Sequence, residues 1–389
     1  MSKKIVFSLS KAMTIILATV FTMLLLASCP SAEDKLAEDM LGTNTDIPAV
    51  GTEYNDEENN LRYIVNDDRT LSVKGPIDSE LADWVCIIPE EYEGIKVTSI
   101  GKHAFLGCSK LASITIPGSV TSIGSYAFYD CYSLTSITVS DNNKYYKSID
   151  GVLFDKNVQK IIAYPCSKSS NYYTIPDSIT SIGDGAFRDC YSLNSITIPD
   201  SVTSIGDYTF FYCYSLTSIT VSDNNKYYKS IDGVLFDNNV QKIIAYPCGK
   251  SSNYYTIPDS VTSIGSFAFE GCSNLNSITI PDSITSIGNF AFYGCSGLTS
   301  ITVSGNNKYY KSIDGVLFDK NVQKIIAYPC SKSSNYYTIP DSVTSIGDGA
   351  FRECSSLTEI HINKPENSIS GSPWRAPNGE SIVKWQGQF

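Results

Sequence analysis

Residues Ile100 to Ile123 read IGKHAFLGCSKLASITIPGSVTSI, and the same pattern starts again at Ile123. Written by its fixed positions, the unit is Ile-Gly-x-x-Ala-Phe-x-x-Cys-x-x-Leu-x-x-Ile-x-Ile-Pro-x-x-Val-x-x, a period of 23 residues. Periods of about 20 to 50 residues are typical of solenoids, in which each repeat packs only against its two neighbours. The sequence therefore predicts a solenoid of stacked coils.

The cysteines show a longer period of 82 residues. Three sets share this spacing, namely Cys108, Cys190, Cys272 and Cys354; Cys131, Cys213 and Cys295; and Cys166, Cys248 and Cys330. Each 82-residue superrepeat therefore holds two plain coils and one longer coil. We expect three superrepeats and ten coils, each with a cysteine at one equivalent position, over residues 100–362.

Within a plain coil, the segment Leu-x-x-Ile-x-Ile predicts a strand, because alternate apolar residues face one side of a sheet. Leu111 to Ile116 is the first example, and Pro117 ends it. The following Val-x-x-Ile-Gly predicts a second short strand. Ala-Phe-x-x-Cys favours a single helical or 3-10 turn, with the phenylalanine filling the interior.

The longer coil predicts an inserted β-hairpin. Gly151 to Phe154 and Lys160 to Tyr164 are β-prone and flank a turn at residues 155–157. Equivalent segments recur in residues 221–248 and 303–330. The fold class we expect is a mainly β repeat solenoid with parallel strands, short helical or 3-10 turns, and hairpins lying on one face of the stack.

Residues 1–28 have the features of a signal peptide: Lys3, Lys4 and Lys11, then an apolar run, then small residues before Cys29. The apolar run is shorter than the roughly 20 residues that span a bilayer. Leu26-Ala27-Ser28-Cys29 resembles the bacterial lipobox, in which the cysteine is lipidated. We therefore expect Cys29 to anchor the protein to a membrane; ordinary secretion is the alternative.

The remaining segments complete the predicted organisation. Residues 29–60 are acidic and lack periodic apolar positions, so they predict a disordered tether. Residues 61–99 predict an N-terminal cap containing a hairpin between Leu61 and Val73, and residues 363–389 a C-terminal cap. Caps are needed because a solenoid end exposes unpaired strand edges.

The charge disfavours nucleic acids and anionic lipid head groups as partners. The formal net charge is −11, or −14 once the three lysines of residues 1–28 are removed. Phosphate-binding proteins carry basic patches, and this sequence has no basic run.

The ten equivalent cysteines predict a ladder of buried free thiols, since a small apolar group is wanted between the phenylalanine and the leucine. Stacked cysteines would lie about 4.8 Å apart, but their parallel side chains disfavour a bond. Paired oxidation in an oxidising compartment remains the alternative. A metal site is not expected, because there is no Cys-x-x-Cys and the histidines are only His103 and His361.

Neither histidine lies in a recognisable catalytic setting, and there is no phosphate-binding glycine loop. We therefore expect no enzymatic activity, no cofactor and no small-molecule substrate.

Paired tyrosines are the candidate ligand contacts. The pairs between lysines are Tyr145 and Tyr146, Tyr227 and Tyr228, and Tyr309 and Tyr310. One tyrosine of each pair should face inward and the other outward. Tyrosine offers a large contact area at little entropic cost, so an exposed ladder predicts a contact surface. Structural filling of the hairpin is the alternative.

The pattern in Leu111 to Cys131, Leu193 to Cys213 and Leu275 to Cys295 closely resembles the BspA-like leucine-rich repeats of bacterial surface proteins. The resemblance covers about residues 84–362. It implies a curved leucine-rich repeat solenoid that is exported, often lipid-anchored, and associated with adhesion, with binding of host matrix proteins such as fibronectin or fibrinogen, and with coaggregation. It implies no defined ligand residues.

From the residues and the resemblance together, we expect a non-catalytic surface lipoprotein that binds a host matrix protein or a bacterial surface protein. An envelope-structural scaffold without a soluble ligand and a carbohydrate-binding module are the alternatives.

Overall fold

The computed structural model describes residues 48–370, 374, 376 and 379–388. The chain divides into two units, residues 1–49 and residues 50–389. All of the described strands belong to the second unit. The expected signal peptide, Cys29 and most of the expected tether lie outside the described residues.

The first set of strands, which we call the long strands, contains the Leu-x-x-Ile-x-Ile segments. They form four separate three-stranded parallel sheets. These are β4 (Trp84–Ile87), β7 (Leu111–Ile116) and β9 (Ser136–Val139); β13 (Tyr172–Thr174), β15 (Ser195–Ile198) and β17 (Ser218–Val221); β21 (Tyr254–Thr256), β23 (Ser277–Ile280) and β25 (Ser300–Val303); and β29 (Tyr336–Ile339), β31 (Glu359–Ile362) and β32 (Val383–Trp385).

The second set, which we call the short strands, contains the Ser-Ile segments and also stacks in parallel. It comprises β6 (Ile95–Ile100) and β8 (Ser122–Ile123); β12 (Lys160–Ala163), β14 (Ser181–Ile182) and β16 (Ser204–Ile205); β20 (Lys242–Ala245), β22 (Ser263–Ile264) and β24 (Ser286–Ile287); and β28 (Lys324–Ala327) and β30 (Ser345–Ile346).

The interior lies between the long and short strands, and the expected β-solenoid is confirmed, with about 13 turns. Alternation places both isoleucines of β15, Ile196 and Ile198, inward, while Ser195 and Thr197 face outward. Rings stack along the axis: the centroids of Phe187 and Phe210 are 6.0 Å apart. Equivalent residues of successive coils therefore bury one another.

The N-terminal cap contains the predicted hairpin, β2 (Leu61–Val65) with β3 (Leu71–Pro76), which joins the short strands through β6. Two further strands, β1 (Glu53–Asp56) and β5 (Glu91–Tyr92), pair at its edges. β1 lies inside residues 29–60, so the predicted disorder of that whole segment is wrong. Its Asp56 is buried and accepts a hydrogen bond from the Tyr63 hydroxyl at 3.2 Å.

The C-terminal segment continues the stack, since β32 pairs in parallel with β31. A 3-10 helix, Gly379–Ile382, precedes β32. Trp374 is buried, with its ring 6.4 Å from that of Phe351. These groups cover the last coil.

Each longer coil contains three antiparallel strands rather than two. The first superrepeat has β10 (Tyr146–Ile149), β11 (Val152–Asp155) and β12; the others have β18 (Tyr228–Ile231), β19 (Val234–Asp237) and β20, and β26 (Tyr310–Ile313), β27 (Val316–Asp319) and β28. The extra turn is at Asp150-Gly151, where both residues have positive φ, as Asp-Gly favours.

The hairpins lie within the stack, not on its face, because Val152, Leu153 and Phe154 are buried in the core. They also interrupt both kinds of sheet. The last long strand of the group, β9, donates from Ile137 N to Gly151 O at 2.9 Å instead of to another long strand. Each hairpin therefore closes one three-coil block.

The Ala-Phe-x-x-Cys segments are hydrogen-bonded turns, so the expected helical or 3-10 turns are wrong at these positions. Two residues of every plain coil have positive φ, which interrupts consecutive helical bonds. They are His103, Tyr126, Gly185, Tyr208, Phe267, Phe290 and Gly349 at the first position, and Gly107, Asp130, Asp189, Tyr212, Gly271, Gly294 and Glu353 at the second.

Nine of the cysteines in the described residues are free and buried. A disulfide joins Cys330 to Cys354, whose Cα atoms are 4.0 Å apart, so the expectation of an entirely reduced ladder is wrong at this pair. Free thiols donate to carbonyl groups of the preceding coil, as from Cys213 Sγ to Phe187 O at 2.9 Å. Burial raises the pKa of Cys108 to about 11 and of Cys166 to about 12.

Candidate binding surfaces

The first tyrosine of each lysine-flanked pair is exposed. The exposed fractions of Tyr145, Tyr227 and Tyr309 are 52%, 52% and 51%. The second tyrosine is partly buried, and the hydroxyl of Tyr146 accepts a hydrogen bond from Ile123 N at 3.0 Å. The two members of each pair therefore have different surroundings.

A buried asparagine holds each pair in place. The Nδ2 atom of Asn143 donates to Pro117 O at 2.8 Å and to Val120 O at 2.9 Å. Its Oδ1 atom accepts from Tyr145 N and Tyr146 N, both at 2.8 Å. Asn225 and Asn307 make the same four contacts in the other superrepeats.

A second set of exposed tyrosines lies on the long strands. Tyr172, Tyr254 and Tyr336 each begin a three-stranded sheet, with exposed fractions of 67%, 67% and 52%. Tyr172 pairs with Ser195, and Thr174 with Thr197, so the neighbouring outward side chains are small and hydroxylated. Tyr336 stacks on His361 at 5.3 Å.

Three equivalent cavities lie where each longer coil turns from its short strand to its cysteine. A plain coil has eight residue steps from the isoleucine to the cysteine, as from Ile100 to Cys108, whereas Ile161 to Cys166 has five. The shortened turn leaves a gap between the coil before it and the coil after it. We call these gaps the first, middle and third notches.

The notch volumes are about 290, 520 and 370 Å³ in chain order. Each floor carries an isoleucine and an alanine of the longer coil, Ile162 and Ala163 in the first notch. Each rim carries a lysine and an aromatic residue, respectively Lys160, Lys242 and Lys324, and Tyr126, Tyr208 and Phe290.

Charged groups cross the outer part of the first notch. Arg188 lies 3.0 Å from Asp130 Oδ1 and 3.1 Å from Asp189 Oδ2. Its guanidinium is 5.0 Å from the Tyr129 ring centroid and 4.5 Å from that of Phe211. Burial raises the pKa of Asp189, and Arg188 opposes this shift.

In the middle notch, Glu270 replaces the arginine. It is 4% exposed, its Oε2 atom accepts from Tyr212 N at 2.9 Å, and its Oε1 atom has no hydrogen-bond partner among the described residues. Burial, with a smaller contribution from Glu353, raises the pKa of Glu270 to about 8. The third notch is smaller in volume than the middle notch and has Arg352 at this position, 4.8 Å from the centroid of the Tyr293 ring.

The two histidines lie in different settings. His103 is exposed beside Tyr126, and His361 contacts Glu359 Oε2 at 2.6 Å. Within the described part of the chain, no group of three or more potential metal ligands is present. The described residues also contain no helix long and apolar enough to cross a membrane.

The tyrosine pairs were predicted from the sequence, but the asparagine that holds them and the notches were not. Both had signals. The segment Asn-Asn-Lys-Tyr-Tyr is identical in the three superrepeats, and the distance from isoleucine to cysteine is three residues shorter in the longer coils.

The family described as BspA type leucine rich repeat region matches residues 90–164, 158–247, 244–328 and 323–375. No curated protein sequence matches the chain.

Several solved structures are similar to this chain, including the following three. A leucine rich cell surface protein from Faecalibacterium prausnitzii is 26% identical, with 86% of this chain and 95% of that chain covered and a TM-score of 0.42. A leucine-rich repeat protein from Eubacterium ventriosum is 21% identical, with coverages of 78% and 84% and a TM-score of 0.43. The pneumococcal vaccine antigen PcpA is 18% identical, with coverages of 87% and 94% and a TM-score of 0.40.

Proposed function

The chain belongs to the BspA-type leucine-rich repeat family, and from this membership we propose that it is a non-catalytic, lipid-anchored protein of the bacterial cell surface whose solenoid binds a protein partner. The partner class is a host extracellular-matrix protein or a surface protein of another bacterium. Repeat solenoids offer extended surfaces that suit such partners.

The observation that carries the proposal is the repeated exposure of Tyr145, Tyr227 and Tyr309. Each is attached to a backbone fixed by a buried asparagine, so little conformational entropy remains to be lost when a partner binds. Tyrosine is enriched in binding surfaces because its rigid ring gives a large contact area with a polar end.

The spacing of the three tyrosines suits a repetitive or fibrous partner. They recur every three coils, which corresponds to about 15 Å along the stack at roughly 4.8 Å per coil. Three weak contacts made simultaneously raise the overall affinity through effective concentration. Deleting one superrepeat should therefore weaken binding by more than a third.

Anchoring through Cys29 follows from the sequence Leu26-Ala27-Ser28-Cys29. A lipid at Cys29 would attach the chain to a membrane without a spanning helix.

The proposal is tested by replacing Tyr145, Tyr227 and Tyr309 with alanine, singly and together, in the full chain. Surface plasmon resonance on immobilised fibronectin, fibrinogen and other matrix proteins measures binding, and a melting curve measures folding. Binding should fall progressively, with a loss on the order of 100-fold for the triple variant. The melting temperature should stay within about 2 °C of wild type, because exposed side chains contribute little to stability.

The partly buried tyrosines provide the matched control. Replacing Tyr146, Tyr228 and Tyr310 should lower the melting temperature, because each covers part of a short strand. If the exposed set lowers the melting temperature while binding per folded molecule is unchanged, these tyrosines are structural and the proposed surface is wrong.

A further inference from the structure

In consecutive plain coils, the backbone hydrogen-bond ladder continues through the turn. Three N–H groups of one coil donate to three carbonyl groups of the next. In the middle superrepeat these bonds run from Phe267 N to Asn289 O, from Phe269 N to Ala291 O and from Gly271 N to Tyr293 O, at 3.2, 2.9 and 2.9 Å. The same three bonds join the coils of His103 and Gly185 to their successors.

This ladder stops at each notch, because the shortened turn of the longer coil supplies too few carbonyl groups. The equivalent N–H groups before the middle notch belong to Tyr208, Phe210 and Tyr212. Those of Tyr208 and Phe210 have no acceptor among the described residues. The same holds for Tyr126 and Phe128 at the first notch and for Phe292 at the third.

The third N–H group before the notch is paired, but its acceptor is a side-chain oxygen and not a carbonyl group of the ladder. Asp130 N donates to Asp189 Oδ2 at 3.3 Å, and Tyr212 N donates to Glu270 Oε2 at 2.9 Å. Each carboxylate reaches across from the far side of the notch. No such side-chain oxygen of the described residues accepts from the remaining two donors.

The far wall of the notch presents the complementary group. In plain coils, Asn289 O accepts from the coil before it, whereas the equivalent carbonyl of Ser266 in the middle notch receives no hydrogen bond among the described residues. One wall therefore offers donors and the other an acceptor. Between them lies an apolar floor, Ile244 and Ala245.

We propose that each notch is a docking site for a short extended peptide segment of a partner protein, which replaces the missing part of the ladder. Carbonyl groups of the peptide accept from the two unpaired N–H groups, and a peptide N–H donates to the carbonyl on the far wall. One peptide side chain packs on the apolar floor. This is the addition of a strand to an incomplete ladder, in which main-chain bonds give affinity and a pocket gives specificity.

The three notches should differ in strength. The first is narrowed by Arg188, which bridges to Asp130, and by Tyr129, whose hydroxyl lies over Gly185 at the place where a Cβ would be. In the middle notch, Phe211 lacks that hydroxyl, and Glu270 forms no ion pair with any residue that the structure describes. The middle notch is also the largest, at about 520 Å³, so it should bind peptides most tightly.

The first test measures hydrogen–deuterium exchange in the full chain at single-residue resolution. Without a ligand, the Tyr208 and Phe210 N–H groups should exchange at least about 100-fold faster than those of Phe267 and Phe269, which hold the same positions in a complete ladder. Equal protection in the free chain would show that the donors are not available and would overturn the proposal.

The second test uses a plugged variant, in which residues 243–248 (IIAYPC) are replaced by the plain-coil sequence of residues 264–272 (IGSFAFEGC). This variant restores the three missing residues. The probe is a displayed library of nine-residue peptides, selected on the full chain. Selected peptides should slow exchange at Tyr208 and Phe210, and the plugged variant should bind them at least tenfold more weakly.

If the plugged variant does not fold, an amide-to-ester scan of a selected peptide takes its place. At least one ester should weaken binding about tenfold, because it removes a main-chain hydrogen bond. Unchanged affinity across the scan, equal binding to a folded plugged variant, or no peptide binding below about 1 mM overturns the proposal. Binding of oligosaccharides instead of peptides in the notch would also overturn the proposal.

This inference rests on the proposed protein-binding function, but the two fail separately. A matrix protein that binds through Tyr145, Tyr227 and Tyr309 and is unaffected by the plugged variant would leave the proposed function in place and overturn the notch. If peptides bind in the notch and the tyrosine variants bind matrix proteins as tightly as wild type, the notch proposal stands and the proposed tyrosine surface is wrong.

Discussion

The Oδ1 atom of Asn143 accepts a hydrogen bond from the backbone N–H of Tyr145 at 2.8 Å, and this contact fixes the point at which the most exposed ring of the hairpin leaves the stack. The same amide bonds to two carbonyl groups of the preceding coil. A wholly buried side chain with all four hydrogen bonds made thus joins two coils and one surface tyrosine.

Asn225→Ala should be strongly destabilising, because it leaves two carbonyl groups and two N–H groups without their partner. Each unsatisfied buried group costs about 1 to 3 kcal/mol. Urea unfolding monitored by circular dichroism should show a loss of at least about 2 kcal/mol. Asn224→Ala is the matched control, because Asn224 is exposed; equal effects of the two changes would contradict the bridging role.

Phe269→Ala should cost about 3 to 5 kcal/mol of unfolding free energy, as expected for an emptied core position. Phe269 is wholly buried between Tyr246 and Phe292. Phe210→Ala should cost less, because Phe210 borders the middle notch and is only partly buried. Paired thermal and chemical unfolding curves measure the difference, and a larger loss for Phe210→Ala would argue against an open notch.

Glu270 should make the protein less stable as the pH rises. Its pKa is raised from 4.5 to about 8 by burial, so between these values the folded state binds a proton that the unfolded state does not. Its stabilising contribution is therefore present below pH 4.5 and lost as the pH rises through about 8. At about 1.4 kcal/mol per pKa unit, the loss is on the order of 5 kcal/mol.

Urea unfolding at pH 5 and pH 9 checks this contribution of Glu270. The difference between the two pH values should be smaller in Glu270→Gln, in which the side chain cannot ionise, than in wild type. Arg188, Asp189 and Glu353 contribute to the local potential and remain unchanged. Glu366→Gln, which alters an exposed carboxylate, should keep the wild-type difference.

The buried thiols should be inert in the folded protein. Burial raises the pKa of Cys131, Cys190 and Cys272 well above 9, and the thiolate is the reactive form. Iodoacetamide at pH 8 should label these positions at least about 100-fold more slowly in the native chain than in urea. Fast native labelling, read by mass spectrometry, would show that the ladder opens.

Cys29 should carry a lipid in the native host. Growth with a clickable fatty acid should label the wild-type protein, and Cys29→Ala should remove the label. Ser28→Thr, which keeps the cysteine and changes the residue before it, serves as the control. An unlabelled wild-type protein would favour ordinary secretion.

The stacked-coil architecture could be predicted from the sequence because its period, 23 or 82 residues, repeats with few exceptions. Apolar alternation assigns Ile196 and Ile198 to the interior, and the same assignment applies in every superrepeat. The opposite surroundings of Tyr145 and Tyr146 also follow from alternation. The local turn conformation could not be predicted from the sequence, because tyrosine and phenylalanine have no preference for the positive φ that Tyr126 and Phe267 adopt.

Only the tertiary structure decided which coils are neighbours across the shortened turns. The sequence determined that Ile161 and Cys166 are three residues closer than Ile100 and Cys108, but a length difference does not say where the vacant space lies. Stacking places it between two complete coils, with the N–H groups of Tyr208 and Phe210, which have no acceptor in the described part of the chain, along one wall in the middle superrepeat. Likewise, Asp130 and Asp189 are 59 residues apart and meet because the intervening coil is too short to separate them.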